Sequence, residues 1–164
     1  MRGVVAALIV MAGAVAIIAI LALTFGAFSS AEGDDIHREP LTIVTANGTT
    51  ARIQVEIADS DEERSKGLSG RTELPNDTGM LFTGLDDHRG FWMKDTLVDL
   101  SVAFIDRCGA ILNVQEMQAN TLDVHNTPGD YRFGLEAPEG WFARNGVAPG
   151  DIVSIPEEYR PKDC

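Results

Sequence analysis

The sequence predicts a mainly β protein, a compact sandwich- or barrel-like domain with one or two short helices, preceded by a single N-terminal transmembrane helix. Three observations carry that expectation. From Val4 to Phe28 no charge interrupts an apolar run. Beyond it, short segments of alternating polarity recur, with turn signals at roughly the 8–12-residue spacing of sandwiches and barrels. No long stretch has the 3.6-residue period of a helix, which disfavours bundles and doubly wound folds.

Residues 1–30 form the first element, a transmembrane anchor or a signal sequence. About 25 uncharged residues at ~1.5 Å rise make ~37 Å of helix, enough for a hydrocarbon core of about 30 Å. A cleaved signal peptide has a shorter apolar stretch of about 7–15 residues. Length favours the anchor, although small residues near Ala27, Ser29 and Ala31 would permit cleavage. Arg2 precedes the span, and Glu32, Asp34 and Asp35 follow it. Positive flanks stay cytoplasmic, so the domain is expected on the extracytoplasmic face of the cell membrane. Residues 31–40 are small, polar and acidic, as in a tether, and residues 41–164 make the domain.

Within the domain, Leu41–Thr45 reads as a strand, and Asn47-Gly48 is a strong hairpin turn signal. Ala51, Ile53, Val55 and Ile57 alternate with polar partners in the return strand. Ser60 followed by Glu63 forms a capping-box pattern, and Gly67 can end the short helix so begun. Strands are expected at Gly79–Thr83, Arg89–Lys94 and Leu100–Ile105. Asp106-Arg107-Cys108-Gly109 is a turn into a strand at Ala110–Glu116. Further strands are expected at Tyr131–Ala137 and Asp151–Ile155, with a helical turn around Trp141–Asn145.

The 164 residues include 13 Lys and Arg against 25 Asp and Glu, a net charge of −12. Such a balance excludes nucleic acid, whose phosphates need clustered cations, and opposes binding to anionic lipid surfaces. Only Lys66, Lys94 and Lys162 are lysines. An acidic, lysine-poor surface suits a halophilic source, where salt screens the self-repulsion; the alternative is an ordinary acidic surface. Asn47 and Asn76 each open an N-x-S/T triplet, a glycosylation pattern that also arises by chance. Cys108 and Cys164 are the only cysteines, an even count that permits one disulfide outside the cell or leaves two free thiols.

Catalytic signatures are sparse. Gly67-Leu68-Ser69-Gly70 is not a nucleophile elbow. His37, His88 and His125 are scattered, so no metal site and no cofactor is expected. Neither cysteine has a neighbouring histidine to act as its base. The most unusual stretch is Gly90-Phe91-Trp92-Met93-Lys94-Asp95-Thr96-Leu97. Alternation puts Trp92 and Lys94 on one side and Phe91 and Met93 on the other. Trp92, Lys94, Asp95, Arg71 and Glu136 are therefore the candidate ligand-binding residues, Glu136 being a polar group in an otherwise apolar strand. The plainer alternative is that Arg71 or Lys94 pairs with Asp95 or Glu136 to satisfy a partly buried site.

These segments resemble domain of unknown function family 192. The likeness runs through Glu63-Arg64-x-x-Gly67-Leu68-x-x-Arg71-x-x-Leu74, Gly79-Met80-Leu81-Phe82, Phe91 to Leu97, Ala103-Phe104-Ile105-Asp106-x-x-Gly109, Leu135-Glu136 and Pro149-Gly150-Asp151. It spans residues 41–155. The chain departs from the family pattern at Asp99, where Pro is preferred, and at Ser101, where Asp is preferred. The resemblance implies a compact, mainly β domain, often behind an N-terminal signal or anchor, and supplies no catalytic residues.

Two functional expectations follow. The first is a membrane-tethered, non-catalytic module of the cell envelope that binds a small ligand, a glycan or an envelope protein. The second is an envelope hydrolase using a carboxylate pair such as Asp95 and Glu136, which must flank the scissile bond roughly 5–10 Å apart.

Overall fold

The computed structural model describes residues 36–86 and 90–164. The elements are β1 (Glu39–Val44), β2 (Thr50–Ala58), α1 (Asp61–Lys66), β3 (Thr78–Phe82), β4 (Leu100–Asp106), β5 (Ile111–Met117), β6 (Tyr131–Pro138), α2 (Trp141–Arg144) and β7 (Ile152–Val153). The seven strands form one sheet in the order β5-β4-β6-β3-β2-β1-β7. Among the described residues all pairings are antiparallel except β2 with β3. The sheet curls into a half-barrel. Its two edges approach each other at one end, where Ala110 bridges Ile152 and the Val153 amide donates to the Gly109 carbonyl at 2.8 Å.

Local chemistry accounts for the elements. The β1–β2 hairpin turns at Asn47-Gly48, where Gly48 has φ +81°. The Asn47 side-chain oxygen accepts from the Thr49 amide and from the Thr45 and Thr49 hydroxyls. Helix α1 begins with a complete capping box: Ser60 Oγ accepts the Glu63 amide and the Glu63 carboxylate accepts the Ser60 amide. The Ser60 hydroxyl holds the Glu63 carboxyl below its usual range. Gly67, with φ +47°, ends the helix. Asp106 Oδ1 organises the β4–β5 turn by accepting the amides of Cys108 and Ala110. Cys108 and Cys164 are joined in a disulfide, with Cα atoms 5.3 Å apart.

Each face of the sheet carries its own core. The concave face buries Leu41, Ile43, Ile53, Leu81, Ile105, Phe133 and Leu135 under Trp141 and Phe142 of α2. The convex face buries Met80, Phe82, Val102, Phe104 and Tyr131 under Leu68, Phe91 and Met93. Both are covered, which is why β4 and β6 read as near-continuous apolar runs rather than alternating ones.

Three expectations change. One curled sheet replaces the alternative of two stacked sheets, because β6 returns between β3 and β4. Residues around Phe91–Lys94 are not a strand: Phe91 makes a single bridge to His125, and a turn follows. Strand β1 begins at Glu39, so residues 39–40 of the expected tether lie in the sheet. The expected N-terminal span lies outside the described residues. Among the described residues no helix is long and apolar enough to cross a membrane.

Candidate functional site

The convex face is incompletely filled. Between α1, the end of β3 and the segment from Gly90 to Thr96 lies a cavity of about 540 Å³, lined in part by Leu68, Phe82, Phe91, Trp92, Lys94 and Glu136. Its size suits a small organic ligand. An edge-to-face series of rings supports it: Phe91 meets Phe82 at 5.1 Å and Phe104 at 5.6 Å, and Phe104 meets Tyr131 at 5.1 Å. Gly134 permits this arrangement, since a Cβ there would come within 2.1 Å of the Phe91 ring. Reciprocal backbone bonds between Phe91 and His125 pin the segment. Alternation of burial survives without a strand: Phe91 and Met93 are buried, whereas Trp92 and Lys94 are exposed.

Glu136 is the unusual member. It projects from β6 between Met80 of β3 and Val102 of β4 and is only 5% exposed. Among the described residues its carboxyl has no hydrogen bond and no ion pair. Burial pushes it up to about 8 from an ordinary 4.5, so at neutral pH it is a protonated acid that can donate as well as accept. Trp92, half exposed, stands at the mouth, with Lys94 Nζ 5.5 Å from its ring centroid.

The other two candidates lie elsewhere. Arg71 Nη2 donates to Glu56 Oε2 at 2.6 Å, and Arg38 Nη2 donates to Glu56 Oε1 at 3.2 Å. Arg71 thus has a carboxylate partner, but it is Glu56 rather than Asp95 or Glu136. Asp95 sits in a left-handed turn, φ +59°, where its carbonyl accepts the Gly70 amide, and it does not line the cavity. The family-variant positions also take structural roles. Ser101 Oγ accepts the Gly140 amide and donates to Glu116, and Asp99 accepts the Ala119 amide. Asn47 and Asn76 lie in exposed turns. Lys66 also lines the cavity. Sequence reasoning missed it, because a lysine in the last turn of a helix already has a sufficient explanation in the helix dipole.

A half-barrel with a core on each face and a ligand-sized cavity against one of them defines the class of domain. The family follows from comparison: domain of unknown function family 192, "Uncharacterized ACR", matches residues 42–155, and the chain belongs to that family. The chain is similar to a crystal structure of a protein from Sinorhizobium meliloti 1021 provisionally named a transcription regulator. Identity is 30% and the TM-score 0.68, covering 73% of this chain and 94% of that one. It is also similar to a protein of unknown function from Novosphingobium aromaticivorans DSM 12444. There identity is 28% and the TM-score 0.69, covering 75% of this chain and 89% of that one. No curated protein matches the chain.

Proposed function

We propose that this protein is a non-catalytic binding module, held on the outer face of the cell membrane by its apolar N-terminal segment, and that the convex-face cavity takes its ligand. One observation carries the reading: a buried carboxyl with no partner among the described residues, Glu136, lies in a cavity whose mouth presents an exposed tryptophan and a lysine. A buried polar group without a partner costs stability, and a bound ligand can supply what the protein withholds. The hydrolase alternative needs two carboxyls flanking one cleft: Asp95 does not line the cavity that holds Glu136, and Asp61 and Asp86, which do, are each held by an arginine. The acidic surface suits a salt-rich setting.

The test is thermal unfolding of the full chain in phosphatidylcholine nanodiscs against sugars, nucleotides, amino acids and organic acids, in dilute buffer and in molar KCl. A ligand at a hundredfold excess over Kd stabilises by about 2.7 kcal/mol. The expected result is a raised midpoint for one chemical class, lost in Trp92→Ala, and a higher baseline midpoint in KCl. Shifts that persist in Trp92→Ala would remove this cavity from consideration. Protease added outside intact cells should cleave the domain; protection there reverses the orientation.

A further inference from the structure

We infer that the cavity's ligand is an amphiphilic organic anion: an apolar or aromatic body ending in one carboxylate, sulfonate or phosphate. Its charged end meets Lys66 and Lys94, and a hydrogen-bonding atom of its body meets Glu136. The inference rests on the cavity being a ligand site, as proposed above, and names what the site would take.

The argument turns on which charges around the cavity are already committed. Asp61 and Asp86 both line it, and each is held by an arginine: Asp61 by Arg64 at 2.8 Å, Asp86 by Arg132. Arg64 is itself committed, since it also donates to the carbonyls of Asp59 and Thr83. Lys66 and Lys94 line the same cavity, are exposed, and have no carboxylate partner among the described residues. Glu136, protonated at neutral pH, adds no negative charge. Among the described residues, what remains uncommitted is two ammonium groups and one carboxyl that can donate or accept, with apolar side chains such as Leu68 and Phe91 in the same lining.

That arrangement has a polarity. An anion on an apolar stem gains two charge-assisted contacts and keeps Glu136 neutral. A cation would meet two uncompensated ammonium groups and would have to ionise Glu136 in a buried setting to find a counter-charge. The chain's net charge of −12 opposes anions at long range. That field decays over about 8 Å at physiological salt, so groups in direct contact decide the preference.

The experiment uses the full chain in phosphatidylcholine nanodiscs, with empty discs as reference, and titrates three probes of one shape by calorimetry. These are 2-naphthoate, neutral 2-naphthamide and the cation 2-naphthylmethylammonium. The expected order is anion, amide, cation, with at least tenfold between the ends. Lys66→Gln combined with Lys94→Gln should bring the anion within twofold of the amide. Both lysines are exposed, so this variant should keep the wild-type melting midpoint. Competition by soluble dihexanoylphosphatidylglycerol would assign the natural anion to a lipid headgroup, and its failure to compete would assign it to a free acid. A cation that binds as tightly as the anion, or a preference unchanged in the double variant, overturns the anion class and leaves the cavity as a ligand site. No binding by any of the three to folded protein overturns both readings.

Discussion

Glu56 and Glu136 occupy one row of the sheet, because Glu56 is in register with Met80 and Met80 with Glu136. They stand two strand spacings apart, about 10 Å, on the same face, and both are buried. Glu56 is clasped by Arg38 and Arg71 within a structural cluster. Glu136 has no such partner and is neutralised by protonation instead. The same contrast separates the two faces. On the concave face, the one polar atom of the Trp141 indole is satisfied: Nε1 donates to Asp77 Oδ1 at 2.8 Å. Where the fold closes polar groups within itself, it has finished its own structure. The Glu56 cluster leaves one guanidinium nitrogen, Arg38 Nε, without a partner; Glu136 is a whole carboxyl left open beside a cavity, and it marks the place where something else is to be bound.

The sharpest way to break this comparison is to unseal the closed face. Trp141 is 1% exposed and packs edge-to-face against Phe142 with ring centroids 5.4 Å apart. Trp141→Ala should cost about 3–5 kcal/mol, from lost burial and the cavity left behind, with Asp77 losing its donor as well. Denaturant melts of the full chain measure it. A loss under about 1 kcal/mol would mean that α2 repacks freely and that this face is not sealed.

Glu136→Gln tests the open face and should act in the opposite direction. The native carboxyl titrates near 8 and the unfolded one near 4.5, so between those values the native state holds a proton that the unfolded state lacks. Stability should therefore fall as pH rises through that window and recover fully below it. At pH 8 the carboxyl costs on the order of 4 kcal/mol, and an amide of the same shape, with its own desolvation cost, should recover ~1–2 kcal/mol. The variant should melt several degrees above wild type at pH 8, and near pH 4, where the protonated wild-type carboxyl no longer carries that cost, the order should reverse. A variant that melts lower at pH 8 would show that Glu136 has a partner in the native protein.

Local features of this fold were legible in the sequence, and those set by register were not. The β1–β2 hairpin and α1 depend on neighbours a few residues apart, so Asn47-Gly48 and the Ser60–Glu63 box announce them. The single curled sheet depends on β6 crossing back between β3 and β4, a pairing that no local pattern encodes. The segment around Phe91 reads as a strand because Phe91 and Met93 are buried and their neighbours are not. Only the bridge to His125 is strand-like there; Phe91 is buried by its ring packing onto Gly134, and Met93 by the core of the same face. Glu136 stood out as one carboxyl in an apolar run. The partner of Arg71 did not, since Glu56 comes within reach only once β2 is aligned under the loop after α1.

The smallest expected effect on stability falls at the residue expected to matter most for binding. Trp92 is 52% exposed, with the Lys94 ammonium over its ring. At an exposed site such a contact is worth about 0.5–1 kcal/mol, and the lysine regains hydration when the ring is removed. Trp92→Ala should therefore move stability by no more than ~0.5 kcal/mol, in the range of ordinary surface substitutions. Loss of the same side chain removes an aromatic anchor at the mouth of the cavity, the kind of position where truncation costs ~2 kcal/mol or more of binding. Unfolding and 2-naphthoate titration on one preparation separate the two quantities. A variant that is destabilised and still binds would make Trp92 a structural residue, and the open face would then lose its functional meaning.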